Sequence, residues 1–418
     1  MFLKILAGLF FCLVIRFISH AQDKEQKVKY ESLVGSINRI LQNQVDSNLI
    51  PGAVIEIKSG SEILCKKAFG YAAKYDYHNQ LLIHPENMTT DHLFDIASLT
   101  KVIGTTTSIM LLVDRGLIQV DDLVGKYIPA FNGQDKKSIS IRHLLTHTAG
   151  LYEWYPLYYR AKNKMETYTL IGHLPLKYSV GEQRHYSDLG FVILGEIIET
   201  VSGLPLDRFM DQNIFRPLEM HKTIYNPNKF GRFNKIVSSS HGNPYERRMV
   251  YDSSLGFVFK EIHPEQWNGW RSYTLHGEVN DGNAWYANDG ISGAAGLFST
   301  VEDLQKLVDI LMNKGKKGSI QFISAKTIEL FLTKDHFQNG LGWMMDYENS
   351  FMKDAPSGTY GHTGFTGTSI VVLPSCNISV ILLINRQNKG LLKTGEYYNL
   401  GPLRQQIFNA ILNYCQKS

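Results

Sequence analysis

The chain has 418 residues, of which 44% are hydrophobic and 20% charged, so it is long enough to bury a large core in one composite domain or two. Its net charge of +4 is spread without basic blocks, which gives no indication of a nucleic-acid partner. One of its four cysteines lies in the apolar N-terminal stretch, and the other three are too sparse for a disulfide framework.

The N-terminus has the features of a secretory signal. Lys4 precedes an apolar stretch from Ile5 to Ile15, and Ser19 to Ala21 has the small-x-small pattern of a cleavage site. This stretch is too short to span a bilayer core, which needs about 20 residues. We therefore expect a signal peptide at 1–21, cleavage after Ala21, and a secreted or periplasmic protein with no transmembrane span in the mature chain. An uncleaved anchor is the alternative, because Arg16 closely follows the apolar stretch.

Regular patterns predict helices and hairpins near both ends of the mature chain. Apolar residues recur at helical spacing in one segment: Leu33, Ile37, Ile40, Leu41 and Val45. Two β-rich segments, 53–58 and 62–69, then flank Ser59, Gly60 and Ser61, which is typical of a hairpin. Segments 368–373 and 378–384 indicate a second hairpin, followed by a helix near 403–412.

The middle of the chain is loop-rich, with helical patterns at 141–146 and 190–202. Ser299 and Glu302 have the spacing of a capping box, which predicts a helix that leads the chain back to the sheet. We expect an α+β fold in which an antiparallel sheet, flanked by helices, is built from both chain ends. The sheet region would comprise 22–116 and 300–418, and 117–299 would be an inserted, mostly helical region, with a cleft where the two meet.

The most informative motif is Ser98-Leu99-Thr100-Lys101, at the start of an apolar helical run. A serine and a lysine three residues apart share one face of a helix, so the amine can reach the hydroxyl. A serine becomes a useful nucleophile when a nearby base takes its proton, and lysine can be that base when its surroundings lower its pKa. An ordinary helix start with a solvated lysine is the alternative.

A second copy of the same spacing shows that the motif alone is weak. Ser350 and Lys353 lie between Asn349 and Asp354 in a polar stretch with no apolar helix behind it. We therefore interpret this second copy as a chance occurrence.

Two segments downstream of Ser98 strengthen the interpretation of the first copy as a catalytic motif. Tyr186-Ser187-Asp188 precedes an amphipathic run, and His362-Thr363-Gly364 precedes a β-branched run. Together these resemble the penicillin-recognising serine hydrolases, which comprise class C β-lactamases, D-alanyl-D-alanine carboxypeptidases and esterases on the same scaffold. The resemblance spans nearly all of the mature chain through Ser98–Lys101, Leu144–Leu151, Leu189–Gly203, Ala295–Thr300 and Gly361–Gly367.

The resemblance implies that Ser98 attacks a carbonyl carbon to form an acyl-enzyme. It implies that Lys101 takes the hydroxyl proton directly or through Tyr186, whose alternative role is that of a buried aromatic before a helix. Asp188 stands where most of the family has asparagine. A carboxylate there would keep Lys101 charged and give Tyr186 more of the base role, unless Asp188 simply caps the following helix.

The resemblance also implies a binding strand at His362, Thr363 and Gly364. Class C β-lactamases carry lysine at the His362 position, whereas some carboxypeptidases of the family carry histidine. Histidine is mostly neutral at pH 7, which weakens the case for an efficient β-lactamase. The backbone N–H of Phe365 would pair with that of Ser98 as an oxyanion hole.

The other motifs that we considered predict neither a metal site nor a cofactor. His143 and His147 have a spacing that suits zinc, but Leu144 replaces the glutamate of the metalloprotease pattern, so we expect no metal site. We find no nucleophile elbow, phosphate loop or dinucleotide fingerprint, and no cofactor is implied. An aromatic cluster either lines the cleft or packs the helical region: Trp154, Tyr155, Tyr158 and Tyr159.

The sequence therefore predicts an exported serine hydrolase that acts on an amide or ester carbonyl of a small-molecule or peptide substrate. The carboxypeptidase resemblance places D-amino-acid peptides first, followed by esters and then β-lactams. A low-turnover sensor that holds penicillin or peptidoglycan fragments is the alternative of another class, and Asp188 is the residue that favours it. The sequence gives no indication of the oligomeric state.

Overall fold

The computed structural model describes residues 27–348 and 350–416. The predicted signal peptide at 1–21, with its cleavage site after Ala21, lies outside the described residues. Within the described ranges, no single helix is long and apolar enough to cross a membrane. One pair of helices, Asp188–Ser202 and Leu206–Phe215, meets the length and composition requirement only when taken together, and the two are bent by 73°.

The strands in chain order are β1 Gly52–Ser59, β2 Glu62–Tyr75, β3 Leu81–Asn87, β4 Phe94–Asp95, β5 Ile224–Tyr225, β6 Ser238–His241, β7 Thr274–His276, β8 Leu297–Ser299, β9 Lys316–Lys317, β10 Ile320–Gln321, β11 Tyr360–Thr363, β12 Ser369–Leu373 and β13 Ile378–Ile384. The helices are α1 27–46, α2 Thr107–Asp114, α3 Ile141–Leu145, α4 Lys164–His173, α5 Asp188–Ser202, α6 Leu206–Met210, α7 Pro244–Tyr251, α8 Gly282–Ala287, α9 Val301–Met312, α10 Ala325–Phe331 and α11 Gly401–Cys415. A π-helical turn, Lys101–Thr106, leads directly into α2.

The main sheet joins the two ends of the chain. Its six strands lie in the order β11-β12-β13-β1-β2-β3, and every neighbouring pair is antiparallel. The central pair is β1 with β13, in which Ala53 lies opposite Ile384 and Ile57 opposite Val380. The predicted α+β class, with an antiparallel sheet built from both chain ends and flanked by helices, is confirmed.

Both faces of the central strands are buried, which explains their nearly continuous apolar sequences. Because side chains alternate along a strand, Val54 and Leu383 join one cluster with α2, α5 and α9, whereas Ile55 and Leu382 join another with α1 and α11. The sheet is therefore sandwiched between two helical layers, and the candidate site lies on the side of α2 and α5.

Segment 117–299 carries α3 to α8 together with the short strands β5 to β8. The domain boundaries at 116/117 and 299/300 remain a prediction. The predicted capping box is wrong by one residue, since Ser299 ends β8 and the side chain of Thr300 caps α9 by accepting from the amide of Asp303.

Candidate active site

Ser98 lies on a tight turn between β4 and the π-helical turn. Ala97 has a φ of 46°, and its amide donates to the Asp95 carboxylate at 2.8 Å. The amides of Leu99, Thr100 and Lys101 donate to the carbonyls three residues earlier. Ser98 is thus partly exposed, whereas the three residues after it are buried.

The Lys101 ammonium lies beside the Ser98 hydroxyl. Its Nζ is 3.0 Å from Ser98 Oγ, 2.9 Å from the Ala294 carbonyl oxygen and 2.7 Å from Asp188 Oδ1. Lys101 is 0% exposed, so these three oxygens replace the water that its ammonium loses on burial.

Asp188 is the first residue of α5, and the structure decides between its two predicted roles. The cap of α5 is Ser187, whose side chain accepts from the amide of Gly190. The carboxylate of Asp188 is therefore available for its ion pair with Lys101, with 24% of its side chain exposed.

The ion pair controls the charge of the lysine. Burial alone lowers the pKa of Lys101, but the carboxylate of Asp188 and the phenol of Tyr186 raise it more, so that the net pKa lies above its usual value. Lys101 is therefore protonated in the resting site.

Tyr186 completes the group around Ser98. Lys101 Nζ lies 5.2 Å from the centre of the Tyr186 ring, and the phenol is close enough to Ser98 and Lys101 for both to lower its pKa. Desolvation raises the pKa of Tyr186, and the nearby Lys101 charge reverses this only in part. The phenol is therefore neutral and carries a proton that it can donate.

His147 holds Tyr186 in place, a contact that sequence reasoning missed. Its ring centre lies 4.4 Å from that of Tyr186 and 5.1 Å from that of Phe191, and its Nδ1 accepts from the amide of Ser187 at 3.0 Å. Burial lowers the pKa of His147 well below its usual value, so the ring is neutral. His143 lies apart from this arrangement, since its Nδ1 bonds with Ser140.

The loop after β11 is fixed against the Ser98 turn by two threonines. Thr366 Oγ1 donates to the Asp95 carbonyl at 2.7 Å, and Thr368 Oγ1 donates to the Ile96 carbonyl at 3.0 Å. A side chain at Gly364 would lie 2.1 Å from Thr368 Oγ1, so this close approach requires glycine.

The loop thereby brings Phe365 to the cavity that Ser98 lines. The amide of Gly364 is occupied by the Thr368 carbonyl at 2.8 Å. Among the described residues, neither the Ser98 amide nor the Phe365 amide has an acceptor. These two N–H groups are thus free to stabilise a negatively charged oxygen.

His362 and Thr363 lie beside this loop. The Nδ1 of His362 bonds with the Thr363 carbonyl at 2.9 Å, and its ring centre lies 6.1 Å from that of Tyr186. Burial, together with the Lys101 charge, lowers the pKa of His362 to about 3. The ring is therefore neutral near pH 7 and supplies no charge for a substrate carboxylate. Thr363 is partly exposed.

Ser98, Tyr186, Asp188 and Phe365 line a cavity of about 280 Å³. Trp154 lines this cavity, but the other three members of the predicted aromatic cluster do not: Tyr155 packs against Phe259, and Tyr158 and Tyr159 pack against Trp267. The cavity is also lined by residues that the sequence did not single out: Tyr245, Glu246, Met249, Phe257, Asn280, Asp281 and Tyr397.

The second Ser-x-x-Lys copy lies outside this site. Ser350 hydrogen-bonds with Tyr347 and Met352, and Lys353 is exposed. Neither residue lines the cavity around Ser98.

The chain is similar to curated proteins over most of its length. The chain is 34% identical to a protein of Salmonella heidelberg named "Putative D-alanyl-D-alanine carboxypeptidase", over 83% of this chain and 81% of that protein. It is 32% identical to the "N-acetylmuramyl-L-alanine amidase" of Bacillus subtilis, over 84% of this chain and 80% of that protein.

Two solved structures share the fold. EstCE1, described as a hydrolase with promiscuous acyltransferase activity, aligns with a TM-score of 0.67 at 21% identity and covers 92% of this chain and 99% of its own. An octameric penicillin-binding protein homologue from Pyrococcus abyssi aligns with a TM-score of 0.64 at 21% identity, over 91% of this chain and 77% of its own. The Beta-lactamase family profile matches residues 37–400. The chain belongs to the Beta-lactamase family and is a serine hydrolase.

Proposed function

We propose that the protein is an exported hydrolase that cleaves an amide bond of a D-amino-acid peptide through an acyl-enzyme on Ser98. The observation that carries the proposal is the 3.0 Å contact between Lys101 Nζ and Ser98 Oγ, beside Tyr186 and at the wall of a cavity. This is the contact that a serine nucleophile needs with its proton acceptor.

Neutral Lys101 is the base, and Asp188 sets how readily the lysine gives its resting proton to solvent. Neutral Lys101 accepts the Ser98 proton across their 3.0 Å contact while Oγ bonds to the carbonyl carbon. The oxygen of the tetrahedral intermediate accepts from the amides of Ser98 and Phe365. Tyr186 protonates the leaving nitrogen as the C–N bond breaks, and regains its proton from Lys101.

The same groups resolve the acyl-enzyme. Water gives one proton to Lys101 as its oxygen bonds to the acyl carbon, and that proton returns to Ser98 Oγ as the ester bond breaks. Lys101 is then neutral again and can regain its resting proton from solvent.

Support for a carboxypeptidase reaction comes from the Salmonella relative's name and from Arg184. The Nε of Arg184 is buried without a hydrogen-bond partner among the described residues. Its charge contributes to the lowered pKa values of His147 and His362, so it lies near both rings. Because His362 is neutral, we assign Arg184 as the nearby cation that attracts the terminal carboxylate, although it is not among the residues that line the cavity.

Cleavage of an N-acetylmuramyl amide is a second candidate, suggested by the Bacillus relative's name. The aromatic walls of the cavity favour it, since Trp154, Tyr245 and Phe257 offer flat apolar surfaces on which a sugar ring can pack. The same Ser98 chemistry would apply.

Release of D-alanine from an acetylated D-alanyl-D-alanine peptide tests the first candidate, and release of L-alanine from N-acetylmuramyl-L-alanine tests the second. We expect Ser98→Ala to abolish D-alanine release and Ser350→Ala, which alters the second Ser-x-x-Lys copy, to retain it. Arg184→Gln should raise KM for the free carboxylate but not for the corresponding C-terminal amide. D-alanine release that survives Ser98→Ala would overturn the proposal.

Export is part of the proposal and has its own test. Edman sequencing or intact mass of the protein expressed with its full N-terminus in a bacterial host should show a chain that begins at Gln22. An intact N-terminus in a membrane fraction would identify the uncleaved anchor instead.

A further inference from the structure

One end of the cavity holds two carboxylates and an amide that the proposed chemistry does not use. Glu246 lies on α7, and Asn280 and Asp281 precede α8. All three line the same cavity as Ser98. None of the described residues that line this cavity is a Lys, Arg or His.

The two carboxylates are held by the backbone of α8. Glu246 Oε2 accepts from the amide of Gly282 at 2.8 Å, and Asp281 Oδ1 accepts from the amide of Ala284 at 2.7 Å. The other oxygen of Glu246, Oε1, is buried and makes no hydrogen bond to a described residue, although the Tyr158 hydroxyl, which is also without a partner, lies close enough to lower the pKa of Glu246. A buried acceptor without a donor is costly, and a bound N–H group would satisfy it.

Asn280 is an independent indication of a ligand. It is only 8% exposed, and its backbone is fully engaged, since its amide donates to Asp95 Oδ2 and its carbonyl accepts from Asn243 and Arg271. Its side-chain amide makes no hydrogen bond to any described residue, although the residue lines the cavity. A buried amide left open toward a cavity is available to a ligand.

The charge at this end of the cavity is not balanced by a contacting cation. Glu153 and Asp188, the other two carboxylates of the lining, pair with Lys177 and Lys101. Arg271, whose charge acts on both carboxyls, already donates from its guanidinium to Asn243, to the carbonyls of Val279 and Asn280, and to Glu278.

The two carboxyls resist ionisation together. Burial raises the pKa of Glu246 and of Asp281. The charge of Asp281 raises the pKa of Glu246 further, and that of Asp188 raises the pKa of Asp281. A positive ligand would relieve both effects.

We propose that Glu246, Asp281 and the side-chain oxygen of Asn280 bind a primary ammonium group on the acyl part of the substrate. An ammonium has three N–H donors, and these residues supply three acceptor oxygens, two of them on carboxyl groups whose ionisation a positive ligand would favour. A cavity of about 280 Å³ suits a small aminoacyl group. This inference rests on the proposed function, because it specifies which acyl groups reach Ser98.

Equilibrium binding to the full-length Ser98→Ala protein, measured by calorimetry, tests the inference without requiring turnover. The ligands are D-alanine amide, which has an α-amine, Nα-acetyl-D-lysine amide, which has only a side-chain amine, and N-acetyl-D-alanine amide, which has neither. We expect an amine-bearing ligand to bind about 10-fold or more tighter than the acetylated one, as a charged hydrogen-bonded group would. Which of the two amines binds identifies its position in the substrate.

Three variants in the Ser98→Ala background locate the effect. Glu246→Gln and Asp281→Asn keep the backbone hydrogen bonds, since both new side chains accept them, and should abolish the preference for the amine. Glu153→Gln removes a cavity carboxylate that Lys177 already balances, and this variant should keep the preference for the amine. Calorimetry in buffers of different ionisation enthalpy should show proton release with the amine ligand and none in Glu246→Gln.

Equal binding of amine and acetylated ligands would overturn the inference, as would tighter binding of the acetylated ligand or binding of neither. Loss of the preference in Glu153→Gln as well would show a diffuse negative potential rather than a subsite. A failure of the proposed function is separate, because it would appear as turnover that does not depend on Ser98.

Discussion

Replacing Asp188 with asparagine tests how the site controls its own base. The carboxylate is 2.7 Å from Lys101 Nζ, and the lysine is fully buried. An asparagine oxygen can still accept from Lys101, as can the Ala294 carbonyl, so the variant removes the charge and keeps the packing. With the negative charge gone, the pKa of Lys101 must fall.

The size of the fall follows from the separation of the charges. Two unit charges about 4 Å apart interact by about 4 kcal/mol at an effective dielectric constant of about 20, which corresponds to about 3 pKa units. Because 24% of the Asp188 side chain is exposed, water weakens this interaction, and we expect a fall of about 1 to 3 units.

The assay is the pH dependence of kcat/KM for an aryl ester or peptide substrate. A lower pKa leaves more neutral Lys101 at any given pH, so the acidic limb of the profile should move to lower pH by the same 1 to 3 units, about the range that a neighbouring charge produces. Glu153→Gln, which alters a carboxylate of the same cavity, should leave the limb in place. An unchanged limb in Asp188→Asn, or one at higher pH, would refute the role of the ion pair.

Other predictions concern the surroundings of the site. His147→Ala removes the ring that packs on Tyr186, so kcat should fall about 10- to 100-fold with little change in KM, whereas an equal change in both would show a role in binding. His362 has a native pKa of about 3, well below that of an unfolded histidine. Between about pH 6.5 and pH 3 the unfolded chain therefore binds a proton that the folded chain does not, and the free energy of unfolding falls as pH falls. In that window, His362→Gln should reduce the slope of the free energy of unfolding against pH, measured with urea, by up to about 1.4 kcal/mol per pH unit. An unaltered slope would contradict this prediction. Trp343 is 1% exposed and packs edge-on against Tyr360 at 5.1 Å, so Trp343→Ala should cost about 3–5 kcal/mol in the same urea experiment, and a loss below about 1 kcal/mol would contradict its core position.

The sheet was predictable because its signals are local. Strands β1 and β13 are rich in β-branched residues, and Ser59 to Ser61 and Pro374 to Asn377 mark the turns of the two hairpins. Antiparallel neighbours joined by short turns need no information from distant residues. The start of α9 was misplaced because Ser299 and Thr300 both suit a cap, and Ser299 is instead held in β8 by its pairing with Phe94.

The predicted site residues come together for a similar reason. Ser98 and Lys101 are fixed by one turn, and the N-cap at Ser187 fixes the start of α5 and so places Asp188. The sequence left open whether Asp188 pairs with Lys101, because that contact joins two elements whose relative position depends on the whole core. The structure shows the ion pair.

The cavity residues were missed because no local pattern marks them. Glu246 lies on a short helix with no buried residues, and Asn280 and Asp281 lie in an irregular stretch between β7 and α8. Their common environment arises from long-range contacts, such as that of the Asn280 amide with Asp95. One signal was available for Asp281, since aspartate three residues before an apolar segment is a frequent helix cap.

Intact-mass spectrometry after incubation with a penicillin tests the central claim most directly, because a strained amide can leave its acyl group on the nucleophile. We expect the native protein and Ser350→Ala to gain the mass of one penicillin, located by peptide mapping on Ser98, and Ser98→Ala to gain none. An adduct that persists in Ser98→Ala, or a native protein that neither binds nor consumes the drug, would contradict the assignment of Ser98 as the acylated residue.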